Sequence, residues 1–266
     1  MRKVLAMMRA NWISASSYKL NLVWSLVGLL LSVVPVYFVT DALQPVMRDK
    51  IADQGGEFFA FVLVGQIAFT LVTVAVTALP AAIGAGIASG TLELMLSTPT
   101  RLPTLFAGMT AYTFAWTAVR CTLMLTAGWV LGATVAWGKF AVAAGILLMI
   151  VLTYLAVGIV IGAMILAFRF TGPIAQGVVV SSALLGGVYY PTKVIPSWIQ
   201  TVSDFIPLSY GLRALRGTLL EGAPLSSVAH DLGILALFGV VLLTLSSAAF
   251  TSALRYSKRA GTLAQY

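Results

Sequence analysis

Residues 186–217 read GGVYYPTKVIPSWIQTVSDFIPLSYGLRALRG and lie between two apolar runs. Three prolines, Pro191, Pro196 and Pro207, interrupt this stretch. Because each proline lacks a backbone donor and clashes with the preceding turn, no continuous helix can pass through them. Irregular backbone at membrane depth is tolerated only where protein or water satisfies its polar groups. We therefore predict short re-entrant helices over residues 189–217, and we name residues 186–217 the broken segment.

The composition of the whole chain indicates an integral membrane protein. Of its 266 residues, 60% are hydrophobic and 9% are charged, which is too few charges to cover a water-facing surface of this size. The formal charge of +8 does not indicate nucleic acid, because the basic residues lie at the ends of apolar runs rather than in one patch. The single cysteine, Cys121, cannot form an internal disulfide.

Six apolar runs are the candidate membrane spans, since a helix needs about 20 apolar residues to cross a bilayer. We predict an all-α membrane protein with six transmembrane helices in a single domain covering residues 1–266. The predicted spans are residues 20–40, 58–79, 113–135, 140–168, 173–188 and 232–256.

Residues 1–19 have the pattern of a basic amphipathic helix. Apolar residues, Trp12 among them, share one helical face, and cations lie elsewhere around the turn. Such a helix lies in the membrane interface, with its cations toward anionic headgroups. The alternative is a cytoplasmic lead-in to the first span. The candidate interfacial residues are Arg2, Lys3, Arg9 and Trp12.

A second stretch, residues 90–103, reads GTLELMLSTPTRLP and joins the second and third predicted spans. Leu92, Met95 and Leu96 recur at i, i+3 and i+4, which gives a short apolar face with Glu93 beside it. Pro99 ends the helix. We name residues 90–103 the connecting segment. A helix of this kind can dock into a groove on a soluble partner or rest on the membrane.

The distribution of charge predicts the orientation, because Lys and Arg favour cytoplasmic segments. With both termini in the cytoplasm, ten basic residues and one acid lie inside, and six basic residues and seven acids lie outside. This topology places the connecting segment in the cytoplasm and the broken segment outside. Arg120 falls within the third run, where it either snorkels to the inner surface or contacts a substrate.

Motifs for catalysis do not occur in the sequence. The chain has no GxxxxGK[ST] loop for nucleotide, and its one histidine, His230, stands beside Asp231 in a polar connection. A single histidine cannot build a His-rich metal site, and no second carboxylate flanks a recognisable pocket. We predict that the chain is not an enzyme and binds no metal or cofactor itself.

The sequences GTLELMLSTP, at residues 90–99, and YYPTKVIPSWIQTVSDFIPLSYGLRALRG, at residues 189–217, together resemble the integral membrane subunit of a type-2 ABC transporter. That family exports polysaccharides, lipids and drugs. The resemblance implies that the connecting segment is a coupling helix that docks on an ATPase subunit through Leu92, Glu93, Met95, Leu96, Thr98, Pro99 and Arg101. It implies an extracytoplasmic gate formed by Tyr189, Tyr190, Pro191, Pro196, Trp198, Pro207, Tyr210, Arg213 and Arg216.

The resemblance also implies the assembly. Two copies of the chain would form the transmembrane unit in a prokaryotic cytoplasmic (inner) membrane, and ATP and Mg²⁺ would bind to a separate ABC ATPase. The expected function is outward movement of a lipid, lipid-linked glycan or hydrophobic drug. The alternative is a membrane anchor that recruits a soluble partner without transport. An ion-coupled carrier is disfavoured because the predicted spans contain no carboxylates.

Overall fold

A computed structural model describes residues 2–17, 19–91, 94, 97, 100, 102–168 and 173–259. These residues form α-helices and short 3-10 turns, with no strand among them, as the all-α prediction requires. The α-helices are α1 (Arg2–Ser17), α2 (Lys19–Met47), α3 (Phe58–Ala88), α4 (Leu102–Val130), α5 (Phe140–Phe168), α6 (Ile174–Leu185), α7 (Ser197–Ser203), α8 (Pro207–Leu219) and α9 (Leu225–Arg259).

The helices differ in length from the predicted spans. Helix α2 continues past residue 40 to Met47, and α3 continues through Pro80 to Ala88. Helix α4 stops at Val130 rather than 135, since Gly132 turns the chain with φ +103°. Helix α6 stops at Leu185, two residues before Gly187, whose φ is +75°.

Within the described part of the chain, four helical stretches have the length and composition of membrane spans. They are Val27–Ala52, Phe58–Ala88, Trp137–Phe168 and Leu225–Tyr256. Helix α6 is apolar but has only 12 residues. The chain is thus a multi-pass membrane protein, and the count of six spans stays a prediction.

The main core lies among α3, α5, α8 and α9. Gly158 of α5 allows α3 to approach closely, because a Cβ atom there would lie 2.4 Å from the Ala75 carbonyl oxygen. The same Cβ would lie 3.1 Å from the carbonyl oxygen of Val76. Pro80 cannot donate to that carbonyl, which is four residues before it. The two helices therefore meet backbone to backbone where α3 lacks one of its own hydrogen bonds.

The two ends of α3 have different neighbours. At its first residue, the Gln44 side chain accepts from the backbone N–H of Phe58 at 2.7 Å and donates to the Gly56 carbonyl at 2.8 Å. Glu57 accepts hydrogen bonds from the backbone and side chain of Thr134, which follows α4. At the other end, α3 leads through Gly90, with φ +68°, into the connecting segment.

Candidate functional site

The broken segment consists of a 3-10 turn, Thr192–Val194, followed by α7 and α8. Each proline stands where a helical element begins: Pro191 precedes the 3-10 turn, Pro196 precedes α7, and Pro207 is the first residue of α8. Proline suits the first helical position, because its missing N–H has no intrahelical partner there. The prolines therefore stand at the boundaries of the short helices, and the re-entrant placement of these helices in the membrane stays a prediction.

A tight turn after α6 brings the broken segment back against the bundle. Gly187 has φ +75°, and a Cβ atom there would lie 2.9 Å from the side chain of Thr192. The Tyr190 hydroxyl donates to the carbonyl of Leu184 in α6. These contacts fix the position of the Gly187 and Val188 carbonyl oxygens.

Arg216 of α8 fastens this turn to α3. Its Nη1 donates to the Gly187 carbonyl at 3.0 Å, and its Nη2 donates to the Val188 carbonyl at 2.9 Å. Nε and Nη2 also donate to the Phe61 carbonyl in the first turn of α3, at 3.3 and 3.2 Å. We name this arrangement the Arg216 clasp. It joins three pieces of chain that are distant in sequence.

The clasp is buried and close-packed. Arg216 is 2% exposed, and its guanidinium carbon lies 3.4 Å from the centre of the Phe61 ring. Burial lowers the pKa of Arg216 from its usual value, but a guanidinium remains protonated at neutral pH. Each hydrogen bond from a cation to a carbonyl stabilises by roughly 1.5–3 kcal/mol. Together they offset part of the cost of removing the charge from water.

Gly65 makes room for the clasp one turn further along α3. A Cβ atom at this position would lie 2.3 Å from the Val188 carbonyl oxygen and 2.8 Å from Nη2 of Arg216. Since real Cβ atoms do not approach backbone oxygen so closely, any larger residue at this position must displace the turn or the guanidinium.

A second set of contacts ties α8 to α9. The Arg213 guanidinium lies 4.7 Å from the centre of the Tyr210 ring and forms a 3.0 Å ion pair with Asp231. The Tyr210 hydroxyl donates to the carbonyl of Asp204, just after α7, at 2.9 Å. Arg213 and Asp231 are partly exposed, so this pair contributes much less to stability than a buried one.

The structure brings together some of the predicted gate residues and leaves others apart. Arg216 is in the core, whereas Arg213 and Tyr210 line the α8–α9 contact. The Tyr189 ring meets that of Phe69 in α3 at 6.3 Å. Trp198 of α7 is mostly exposed and does not join the clasp.

The predicted docking residues Leu92, Glu93, Met95, Leu96, Thr98, Pro99 and Arg101 lie outside the described residues, and their docking role stays a prediction. Among their neighbours in the chain, three described positions are helical. Thr91, Leu94 and Ser97 have helical backbone and are exposed, Leu94 at 70%. Leu94 is therefore an exposed apolar residue that the sequence pattern did not select.

The predicted interfacial residues lie on α1, which packs on α4. The Met7 side chain meets Gly108, and the Trp12 ring meets Tyr112 at 6.1 Å. Arg9 and Trp12 are exposed, as an interfacial position requires, while the side chains of Arg2 and Lys3 lie outside what the structure describes. Their contact with lipid stays a prediction.

Arg120 lies in α4, ten residues before its end, and is partly exposed. Its Nε atom is buried and has no hydrogen-bond partner in the described structure. Snorkelling and contact with a substrate both stay predictions for Arg120. Among the described residues, no group of His, Cys, Asp or Glu side chains could hold a metal ion.

Sequence reasoning missed two residues of the clasp, Phe61 and Gly65. Both lie in a mostly apolar run, whose apolar residues are expected either in the core or facing lipid. Phe61 acts through its backbone carbonyl and its ring, and Gly65 acts through the absence of a side chain. The glycine inside a long apolar helix was the one available signal, since such a residue often marks a close approach.

Comparison with known proteins gives consistent matches. A profile of the family described as "ABC-2 type transporter" matches residues 2–220. The chain is 25% identical over 248 residues to nodulation protein J of Rhizobium leguminosarum bv. viciae, and the match covers 92% of each chain. It is 23% identical over 119 residues to the linearmycin resistance permease protein LnrN of Bacillus subtilis (strain 168). That match covers 45% of this chain and only 30% of the relative.

Proposed function

The chain belongs to the ABC-2 type transporter family, and from this premise we propose that it moves a lipid, lipid-linked glycan or hydrophobic drug outward across the cytoplasmic membrane. The family supplies the membrane-embedded subunit of an ABC transporter, which works with an ABC ATPase subunit. We propose that two copies of this chain assemble with two such ATPases. ATP and Mg²⁺ would bind to the ATPases, and this chain would perform no hydrolysis.

The observation that supports this mechanism is the course of α3. This helix of 31 residues begins at the Arg216 clasp and ends beside the connecting segment. At 1.5 Å per residue it is about 46 Å long, enough to reach across a bilayer. A movement of the connecting segment, driven by the ATPase, would therefore act on the broken segment through one element.

The backbone contact at Gly158 bears on how α3 would move. Because Ala75 and Val76 rest against α5, a rigid shift of α3 would carry α5 with it. We therefore propose that, during outward transport, the α3–α5 pair moves relative to the broken segment. The clasp holds the broken segment closed on this pair until the movement strains it.

The name of one relative is relevant to the class of substrate. One relative is named a linearmycin resistance permease, and outward transport of a compound through a permease is a means of resistance to it. The described spans supply mainly apolar side chains, which suits a substrate with an apolar part. The direction of transport and the class of substrate remain parts of the proposal.

Docking is tested by copurification of a candidate ABC ATPase with the tagged chain. Leu96→Asp and Glu93→Lys are expected to reduce the copurified ATPase at least tenfold, because they place charges on the proposed contact face. Leu225→Asp at the start of α9 is the matched control, since it adds a charge to an exposed leucine of the proposed outer side. Wild-type amounts of ATPase with both Leu96→Asp and Glu93→Lys would contradict the docking site.

Transport is tested separately in proteoliposomes that contain the permease and its ATPase. ATPase activity is measured with a long-chain phospholipid, a polyprenyl-linked glycan or an apolar drug. We expect one of these classes to stimulate hydrolysis and to accumulate on the side opposite the ATPase. An intact complex whose activity responds to none of them would favour the anchoring alternative.

A further inference from the structure

We propose that a groove on the side of the bundle holds one acyl chain of a resident anionic phospholipid. The groove has a volume of about 360 Å³ and lies between α3, α4 and α5, with α8 behind it. Its floor includes Ile67 and Leu215, and its rim includes Ala118, Phe140 and Ala144. We name it the lateral groove.

The lining excludes a polar ligand. Cys121 and Thr122 are its polar side chains, and both have partners within the protein: Thr122 donates to the Ala118 carbonyl at 3.0 Å, and the Cys121 thiol donates to the Ile67 carbonyl at 3.9 Å. A free anion would therefore find no side-chain donor there, and a sugar would find too few partners for its hydroxyls. Water would also gain too few hydrogen bonds to occupy the space.

The position of the groove indicates hydrocarbon as its occupant. The flanking helices α3 and α5 are candidate membrane spans, so the side of the bundle faces lipid tails. The rim is open, since Phe140 is 49% exposed and Leu148 is 58% exposed. The space is too small for a partner helix, whose diameter with side chains is about 10–12 Å. An unbranched acyl chain enters such a groove and restores the dispersion contacts that an empty one lacks.

A lysine at one end of the groove is placed to select the headgroup of the bound lipid. Lys139 directly precedes the rim residue Phe140, and Trp137 and Trp129 meet edge to face at 6.0 Å beside it. Paired aromatics and a lysine at the start of a span are typical of headgroup level. An ammonium group there favours an anionic phosphate over a zwitterionic headgroup. Because Leu215 and Leu219 of α8 line the groove, the bound chain would also touch the helix that carries the Arg216 clasp.

The test is native mass spectrometry of the purified full-length permease after exchange into phosphatidylglycerol or phosphatidylcholine of equal chain length. We expect one retained phospholipid per protomer, with phosphatidylglycerol preferred. Ala144→Trp and Ala118→Trp fill the groove from opposite walls and are expected to abolish retention. Ala236→Trp, at an exposed alanine of α9 that does not line the groove, is expected to retain the lipid. Lys139→Gln is expected to keep the lipid but lose the preference for phosphatidylglycerol.

The proposal would be overturned if the wild type and both groove variants retained phospholipid equally. It would also be overturned if Ala236→Trp lost as much phospholipid as the groove variants. Loss of a dimer without loss of lipid in the groove variants would assign the groove to a second copy of the chain. A measurement on the wild type alone guards against misfolded variants. A phospholipid with a photoreactive diazirine in mid-chain is expected to crosslink to peptides of the helices that line the groove, α3, α4, α5 or α8. Crosslinking confined to the other helices would also overturn the assignment.

Discussion

Arg216 and Arg213 lie nearly one helical turn apart on α8, yet their surroundings give them different roles. Arg216 is buried and donates to backbone carbonyls of three residues, whereas Arg213 forms a partly exposed ion pair. Backbone carbonyls cannot move away without unwinding α3 or the turn after α6. A guanidinium also spans several acceptors at fixed geometry, which a lysine ammonium cannot do.

We predict that Arg216→Met destabilises the protein by about 3 kcal/mol, because it leaves buried carbonyls without donors and removes the packed cation. Arg216→Lys should recover only part of this loss. Arg213→Met is the matched control, and its cost should stay below about 1 kcal/mol. The measurement is equilibrium unfolding in detergent micelles, and equal costs for the two methionine variants would show that the clasp does not stabilise the fold.

Helix α3 is the element that connects the two predicted functional regions. Its first turn holds the clasp, its middle rests against α5 at Gly158, and its last residues lead to the connecting segment. The missing hydrogen bond at Pro80 weakens α3 on the side of the connecting segment. The packing of α3 on α5 is closest at this point, since a Cβ atom at Gly158 would lie 3.1 Å from the Val76 carbonyl oxygen.

We predict that Gly158→Leu disrupts this contact and lowers the free energy of unfolding by roughly 1–3 kcal/mol, because the added side chain has no room against the α3 backbone. In the assembled transporter, it should also reduce transport more than ATP hydrolysis. Gly145→Leu is the control in the same helix, since nothing lies within 4 Å of a Cβ atom there. Thermal unfolding and the ratio of transport to hydrolysis are measured for both. Similar behaviour of the two variants would count against a rigid α3–α5 pair.

At the scale of the whole molecule, the sequence predicts the boundaries of helices better than it predicts contacts between distant residues. Proline has the same effect on any chain, so Pro191, Pro196 and Pro207 predict the helix starts near them. The partners of Arg216 follow no such rule. Phe61 is 155 positions away, and the atom it offers is a carbonyl oxygen that every residue possesses. Helix ends at Met47 and Ala88 were also missed, because a helix can continue through Asp41 or Pro80 when neighbouring helices support it.

The topology of the whole chain is the remaining prediction, and four positions decide it. With six spans and both termini inside, Gly138 and Ser226 lie outside, and Ser89 and Thr171 lie in the cytoplasm. Single cysteines are introduced at these positions in a Cys121→Ala background and treated with a membrane-impermeant maleimide. Gly138→Cys and Ser226→Cys should react in intact cells, and Ser89→Cys and Thr171→Cys should react only after permeabilisation. If α4 does not cross the membrane, Gly138→Cys will react only after permeabilisation. A fully reversed pattern would place the clasp in the cytoplasm, on the side that the distribution of Lys and Arg disfavours.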